Sequence, residues 1–235
     1  MTQQFDARLF DTPLIAVMPD GTIQVLDGNH RKTTWTDLFN AQRVPERILC
    51  RTVAVRDAAD AADLFINVNM MRRNLTPFDY WKAAIIRRDQ YALDLKSVTD
   101  DYHMRIDNRK RFKSGTTLTC VPNLKRIWFK AGNDSLLRTM LAVLTEAWPE
   151  KEYGGDSYRA HGFLIEGLAE AISELQLSPT LKWNKADATR KLARHAPSDI
   201  RAEALNRAAG VTKATNNPEV YLWVIRNVFA TGRLR

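Results

Sequence analysis

Two apolar runs separated by a turn constrain the start of this chain more than any other feature. LIAVMP (14–19) and TIQVLD (22–27) read as short β runs, and Asp20-Gly21 lies between them. An Asp-Gly pair in that setting is a strong hairpin signal, because the turn needs residues that accept positive φ. Gly28 and Asn29 then break the second strand. From there the apolar spacing turns helical, with Trp35, Leu38 and Phe39 on one face. The stretch Gly28–Arg31 is thereby expected at a strand–helix junction, with the backbone N–H groups of 29–31 facing an open cleft.

The rest of the first part follows the same logic. ILCRTVAV (48–55) reads as a third strand, and an Ala/Asp-rich segment from Asp57 opens a helix with Leu64, Phe65, Val68 and Met71 inward. Thr76-Pro77-Phe78-Asp79 has the form of a helix start: threonine as N-cap, proline at the first helical position, aspartate three after the cap. That helix is expected to run to about Leu93. Beyond it the chain reads as mostly helical. Asn133-Asp134-Ser135 caps a helix carrying Leu137, Met140, Leu141, Leu144 and Trp148 on one stripe. Residues 157–175 form another, with Leu164, Leu168, Ile172 and Leu175, and shorter helices are expected near 184–195, 198–209 and 218–230. The exception is 104–121, where MRI and TLTCV flank DNRKRFKSG and a hairpin or small wing is expected. The fold class expected is α+β: a small α/β domain over 1–95 and a mostly helical, basic domain over 96–235, joined near 94–100. Trp81, Trp128, Trp148 and Trp223 are expected in the core.

Composition excludes several classes. The chain has 235 residues, 45% of them hydrophobic and 26% charged, which is ordinary for globular domains and unlike disordered, collagenous or coiled-coil chains. No run approaches the ~20 apolar residues of a membrane span, and MTQQFDARLFDTP does not read as a secretory signal. Cys50 and Cys120 lie in β-like runs and are expected as reduced buried thiols, which points to a cytoplasmic compartment. Two cysteines and four scattered histidines do not make a zinc site. There is no Walker loop, HExxH, GxSxG or zinc knuckle.

Charge is unevenly spread. Residues 1–100 carry 13 basic and 13 acidic side chains, whereas 101–235 carry 22 and 14, so the whole net charge of +8 lies in the second part. Such an excess suggests a polyanionic partner, most often DNA; a basic protein without one is the plainer alternative. Arg105, Arg109, Lys110, Arg111 and Lys113 fall within nine residues, as a ribbon able to track phosphates or as a solvated loop. Lys182, Lys185, Arg190, Lys191 and Arg194 surround Trp183. On a helix, Arg190, Lys191 and Arg194 share one face, which is expected to contact phosphate with little sequence specificity. The two regions are expected on one face of the fold.

The DGNHR stretch (27–31) carries the chemistry. Free N–H groups at a helix start favour an anion, Arg31 can hold a phosphate by two hydrogen bonds, and His30 can donate another. Asp27 could hold Mg²⁺ or orient a hydroxyl. The same residues also make an ordinary Asp-Gly-Asn turn followed by an exposed arginine. Asp57, Asp60 and Asp63 read as the solvated start of a helix, and His103, His161 and His195 as isolated surface or capping residues.

PLIAVMPDGTIQVLDGNHRKTTW resembles the ParB/sulfiredoxin superfamily, in which two strands lead to a signature at a helix start. DGNHR is similar to the DGHHR-like form in free serine kinases of that fold. FINVNMMRRNLTPFDYWKAA (65–84) resembles the ParB box, with Asn69, Arg72, Leu75 and Pro77 on its asparagine, arginine, leucine and proline. The resemblance covers about 14–84, and the chain is similar to phage and actinobacterial ParB-like nucleases. It implies that Gly28, Asn29, His30 and Arg31 cradle a nucleotide phosphate, that Asn69 and Arg72 complete the site, and that Asp27 and His30 are its catalytic candidates. It also implies a nucleoside triphosphate with Mg²⁺ as cofactor, the metal near Asp27 and Asn69. Val68 stands where the ParB box has glutamate. Asn29 stands where sulfiredoxins have cysteine, which excludes sulfinic-acid repair. Three functions follow as expectations: a phage-type DNA-binding protein with a nucleotide or phosphate site, with nuclease activity as one outcome; an NTPase or small-molecule kinase using the same turn; or a non-catalytic interaction protein acting on a host factor. Arg31 and Arg72 are expected to converge on the cleft.

Overall fold

The computed structural model describes residues 11–42, 44, 46–70, 75–107, 115–153, 155–156, 158–180, 182–209 and 218–234. The chain is mixed α/β and mostly helical, and it divides into two compact units, Met1–Asp89 and Gln90–Arg235. The division falls slightly before the join expected near 94–100. None of the helices among the described residues is long and apolar enough to cross a membrane.

In the first unit β1 (Leu14–Val17) lies between β2 (Ile23–Asp27), antiparallel to it, and β3 (Arg51–Ala54), parallel to it. The β1–β2 turn is the expected one. Gly21 takes φ 83, Met18 and Gly21 close the backbone bonds, and the Asp20 carboxylate accepts from the Thr22 N–H. The register slips between Leu14, opposite Asp27, and Ile15, opposite Val25. Leu26 is the extra residue of this bulge; its side chain is buried, and its carbonyl accepts from Asn69. Helix α1 (Asn29–Asn40) follows, then β3 and α2 (Ala58–Met70).

α2 packs on β2 with Leu64 and Phe65 against the core as expected, but its most buried positions are others. Ala61, Ala62, Ile66 and Asn69 are its buried residues, Leu64, Phe65 and Val68 are half-buried, and Met71 lies outside the described residues. The alanines allow close approach to the sheet, and Asn69 is admitted because its amide donates to two carbonyls. Thr76 and Asp79 form a reciprocal capping box at the start of α3 (Pro77–Ile86).

α3 does not continue to Leu93. It ends in a Schellman arrangement in which Arg88 takes φ 61, Arg88 N–H bonds Ile85 and Asp89 N–H bonds Ala84. Helix α4 (Gln90–Asp101) starts afresh and ends the same way. His103 takes φ 53, its N–H bonds Asp100, and Met104 bonds Thr99.

The hairpin expected at 104–121 is not one. β4 (Arg105–Ile106) and β5 (Thr117–Leu118) pair in parallel, so the chain crosses over between them instead of turning back. Residues 108–114 of that connection lie outside the described residues. Cys120 is not in a strand; it precedes helix α5 (Val121–Ala131), which the alternation of TLTCV concealed. Cys120 is buried, and burial pushes its thiol up to about 12. Cys50, half-buried, lies just before β3.

The remaining elements are α6 (Ser135–Ala147), α7 (Glu150–Tyr153), α8 (Gly162–Leu177), α9 (Lys185–Leu192), α10 (Pro197–Ala209) and α11 (Pro218–Thr231). α8 is central and packs against α5, α6 and α11. Its closest approach is at Gly167, where a Cβ would lie 2.8 Å from Leu222 N and Tyr221 Cβ of α11. Glu166 accepts from Asn123 at 2.6 Å and takes both arms of Arg126 at 2.8 Å, which ties α8 to α5 and raises the Arg126 pKa. Trp148 is wholly buried, its indole donating to the His195 carbonyl. Trp223, expected in the core, is 43% exposed and lies under the Arg207 guanidinium.

The two helix ends yield a test. A side chain in the left-handed region costs roughly 1–2 kcal/mol, and His103 is exposed with Met104 already anchored. His103→Gly is expected to raise the unfolding free energy by about 1 kcal/mol, and His103→Val to lower it by at least as much, both read by urea titration. Equal stability of the two variants would contradict the cap.

Candidate functional site

Gly28 ends β2 and precedes α1, as expected, and two constraints hold it as glycine. Its φ is 92, and a Cβ there would lie 3.0 Å from Pro13 and 3.2 Å from Arg31 Nε. With glycine at the cap, no side chain caps the helix. The Lys32 N–H bonds the Gly28 carbonyl and begins the helical series. The N–H groups of the first turn therefore keep the anion preference of an open helix start.

A cleft of about 470 Å³ lies over this terminus. The turn residues Gly28 to Arg31 line it, together with Asn69 from α2 and Asp79 and Lys82 from α3. Asn29 and His30 are exposed. Asn69 is 5% exposed and donates to the Leu26 carbonyl at 3.1 Å and the Phe65 carbonyl at 2.8 Å, so it fixes α2 against the bulge. Lys82 is not singled out in the sequence, and Asp79 only as a capping residue. The signal was there: they stand three apart, one turn into a helix whose cap was legible, and so share a face. Asp79 is committed to the capping box. Lys82 is exposed, and its ammonium lies 5.1 Å from the Phe78 ring centroid.

Arg31 lines the cleft as expected, but its guanidinium is already held by protein acceptors. One guanidinium nitrogen donates to the Asp11 carboxylate and the Asp11 carbonyl, both at 2.8 Å. The other donates to the Asp27 carboxylate at 2.7 Å. The planar fork that would have clamped a phosphate is filled by protein acceptors. Arg31 therefore ties the lead-in to β1, the end of β2 and the first turn of α1 together. Arg72, its expected partner in the cleft, lies outside the described residues.

The same pairing bears on the metal. Asp27 and Asn69 do line one cleft, but the Asp27 carboxylate is held by Arg31 and the Asn69 amide by backbone carbonyls. Among the described residues no group of three or more His, Cys, Asp or Glu side chains could hold a metal ion. With both side chains so engaged, the donor set does not suit Mg²⁺ at Asp27.

The basic residues of the second unit are largely spent on neighbours. Lys185 pairs with Glu146, and Asp187 takes both Arg190 and Lys191, being three and four residues away on the same helix face. These partners draw the Asp187 carboxyl below its usual range. Lys191 also donates to the Phe229 carbonyl, and Arg105 pairs with Asp107. Asp187 thus offsets one of the two charges of Arg190 and Lys191, and the stripe keeps a net positive charge. Lys182 is exposed, and Arg194 packs against Gly232 at the end of α11. Arg109, Lys110, Arg111 and Lys113 lie outside the described residues, so the shared face expected for the two basic regions is not decided.

Compared with models of known families, with curated proteins and with solved structures, the chain matches none.

The Arg31 clamp can be tested by itself. Arg31→Gln leaves Asp11 and Asp27 without their cation and is expected to cost about 1–3 kcal/mol. Adding Asp27→Asn should restore part of that loss in urea unfolding. A single variant as stable as the parent would show that the fork holds nothing.

Proposed function

We propose that this chain binds a nucleotide phosphate in the cleft over the start of α1, on a ParB/sulfiredoxin-like first unit, and that it associates with DNA through its basic second part. The observation that carries the reading is the meeting of the uncapped 28–31 turn with Asn69 and Lys82 in one cleft. The phosphate is received by the first-turn N–H groups, with His30 as a donor and Lys82 as the cation. Arg31, Asp27 and Asn69 are positioning residues: they set the turn and do not touch the ligand. Phosphoryl transfer or hydrolysis at this turn would need a carboxylate free to take a proton, and Asp27 is held by Arg31. Binding without chemistry fits better than an NTPase or kinase.

Thermal unfolding with nucleoside triphosphates, with and without Mg²⁺, tests this. A ligand at a hundred times its Kd stabilises by about 2.7 kcal/mol. His30→Ala and Lys82→Ala are expected to lose the nucleotide-dependent rise while melting like the parent without ligand. A rise of the same size in both variants would remove the phosphate from this cleft.

The DNA reading rests on the net +8 of residues 101–235. With the Asp187 pairs formed, the load falls on the 105–113 segment. Replacing Arg109, Lys110 and Arg111 by alanine is expected to lower affinity and to reduce the salt slope by roughly 0.9 per lost phosphate contact. Replacing Arg190 and Lys191 should leave both nearly unchanged. One observation favours a second reading, a non-catalytic partner of a host protein: the partial pairing of the α9 stripe with Asp187. Salt-insensitive association, or none, in the DNA titration would select it.

A further inference from the structure

A cavity of about 620 Å³ lies in the second unit. It is bounded by the C-terminal half of α8, by the segment leading into α9 with α9 itself, and by α11. Its size is within the range of small-molecule sites, roughly 300–1,000 Å³. Three alanines, Ala171, Ala188 and Ala230, stand where larger side chains would fill it. Trp183 and Phe229 supply an aromatic wall, their rings edge to face at 6.4 Å.

The charges on the lining are mostly cancelled. Arg226 pairs with Glu174, and Lys191 with Asp187. Lys182 is different: it lines the cavity, is exposed, and has no acidic partner among the described residues. An apolar, aromatic-walled chamber with one uncompensated cation selects a ligand with a planar apolar body and one negative charge. We infer that this chamber is a binding site for a small aromatic monoanion, its rings against Trp183 and Phe229 and its anionic group at Lys182. This site is independent of the phosphate cleft and of the reading built on it.

The probe is 8-anilino-1-naphthalenesulfonate, an aromatic monoanion whose fluorescence rises on leaving water. It is titrated into the full chain beside uncharged N-phenyl-1-naphthylamine, which has the same rings. One saturable site is expected for each. Lys182→Glu should weaken the sulfonate by about tenfold and leave the neutral probe unchanged, while Lys182→Arg should restore sulfonate binding. Ala230→Trp, at an exposed position of the lining, should exclude both probes, with circular dichroism confirming the fold. Lys82→Ala, in the phosphate cleft, should change neither. Equal sulfonate affinity in Lys182→Glu and the parent, loss of signal in Lys82→Ala, or binding that survives in folded Ala230→Trp would each overturn the assignment.

Discussion

The first unit is organised around one guanidinium. Arg31 closes a fork on Asp27, four residues before it, and on Asp11, twenty before it, with every contact at 2.7–2.8 Å. Beside the fork, a Cβ at residue 28 would lie 3.0 Å from Pro13, and the backbone there takes φ 92. Glycine is required there, glycine takes the left-handed turn, and a helix capped by glycine begins without a side-chain acceptor.

The same economy recurs in the second unit and changes what its charge means. A net +8 counts side chains; a binding surface needs cations that are not already used. Glu166 takes Arg126, Glu174 takes Arg226, and Asp187 takes two neighbours on α9. Lys82 at the cleft over α1 and Lys182 at the alanine-lined chamber are among the described cations outside these pairs.

Much of the first unit was legible in the sequence because local chemistry and final structure agree there. Asp20-Gly21 gave the turn, the change of period at Gly28 gave the strand–helix junction, and Thr76 to Asp79 gave a cap that forms as written. Helix ends were not legible where the left-handed cap is arginine or histidine instead of glycine: nothing in Arg88 or His103 announces positive φ. The most buried positions of α2 are less legible because, Ile66 apart, they are alanines and one asparagine, which carry little hydrophobic signal. The parallel pairing of β4 and β5 depends on contacts distant in sequence, among them buried Arg159 donating to the Gly115 carbonyl. In the site, DGNHR located the cleft, but residue type could not say which acceptors Arg31 would find, and Lys82 is one lysine among many until α3 folds against α2.

The central claim is that the first-turn amides of α1 receive a phosphate. Titrating inorganic pyrophosphate into ¹⁵N-labelled protein and following amide shifts tests it most directly. The account predicts saturable shifts at Asn29, His30 and Arg31, with smaller ones at Lys82 and its helical neighbours, all lost at high salt. Shifts confined to the second unit, with the amides of 29–31 unmoved at saturation, would contradict it.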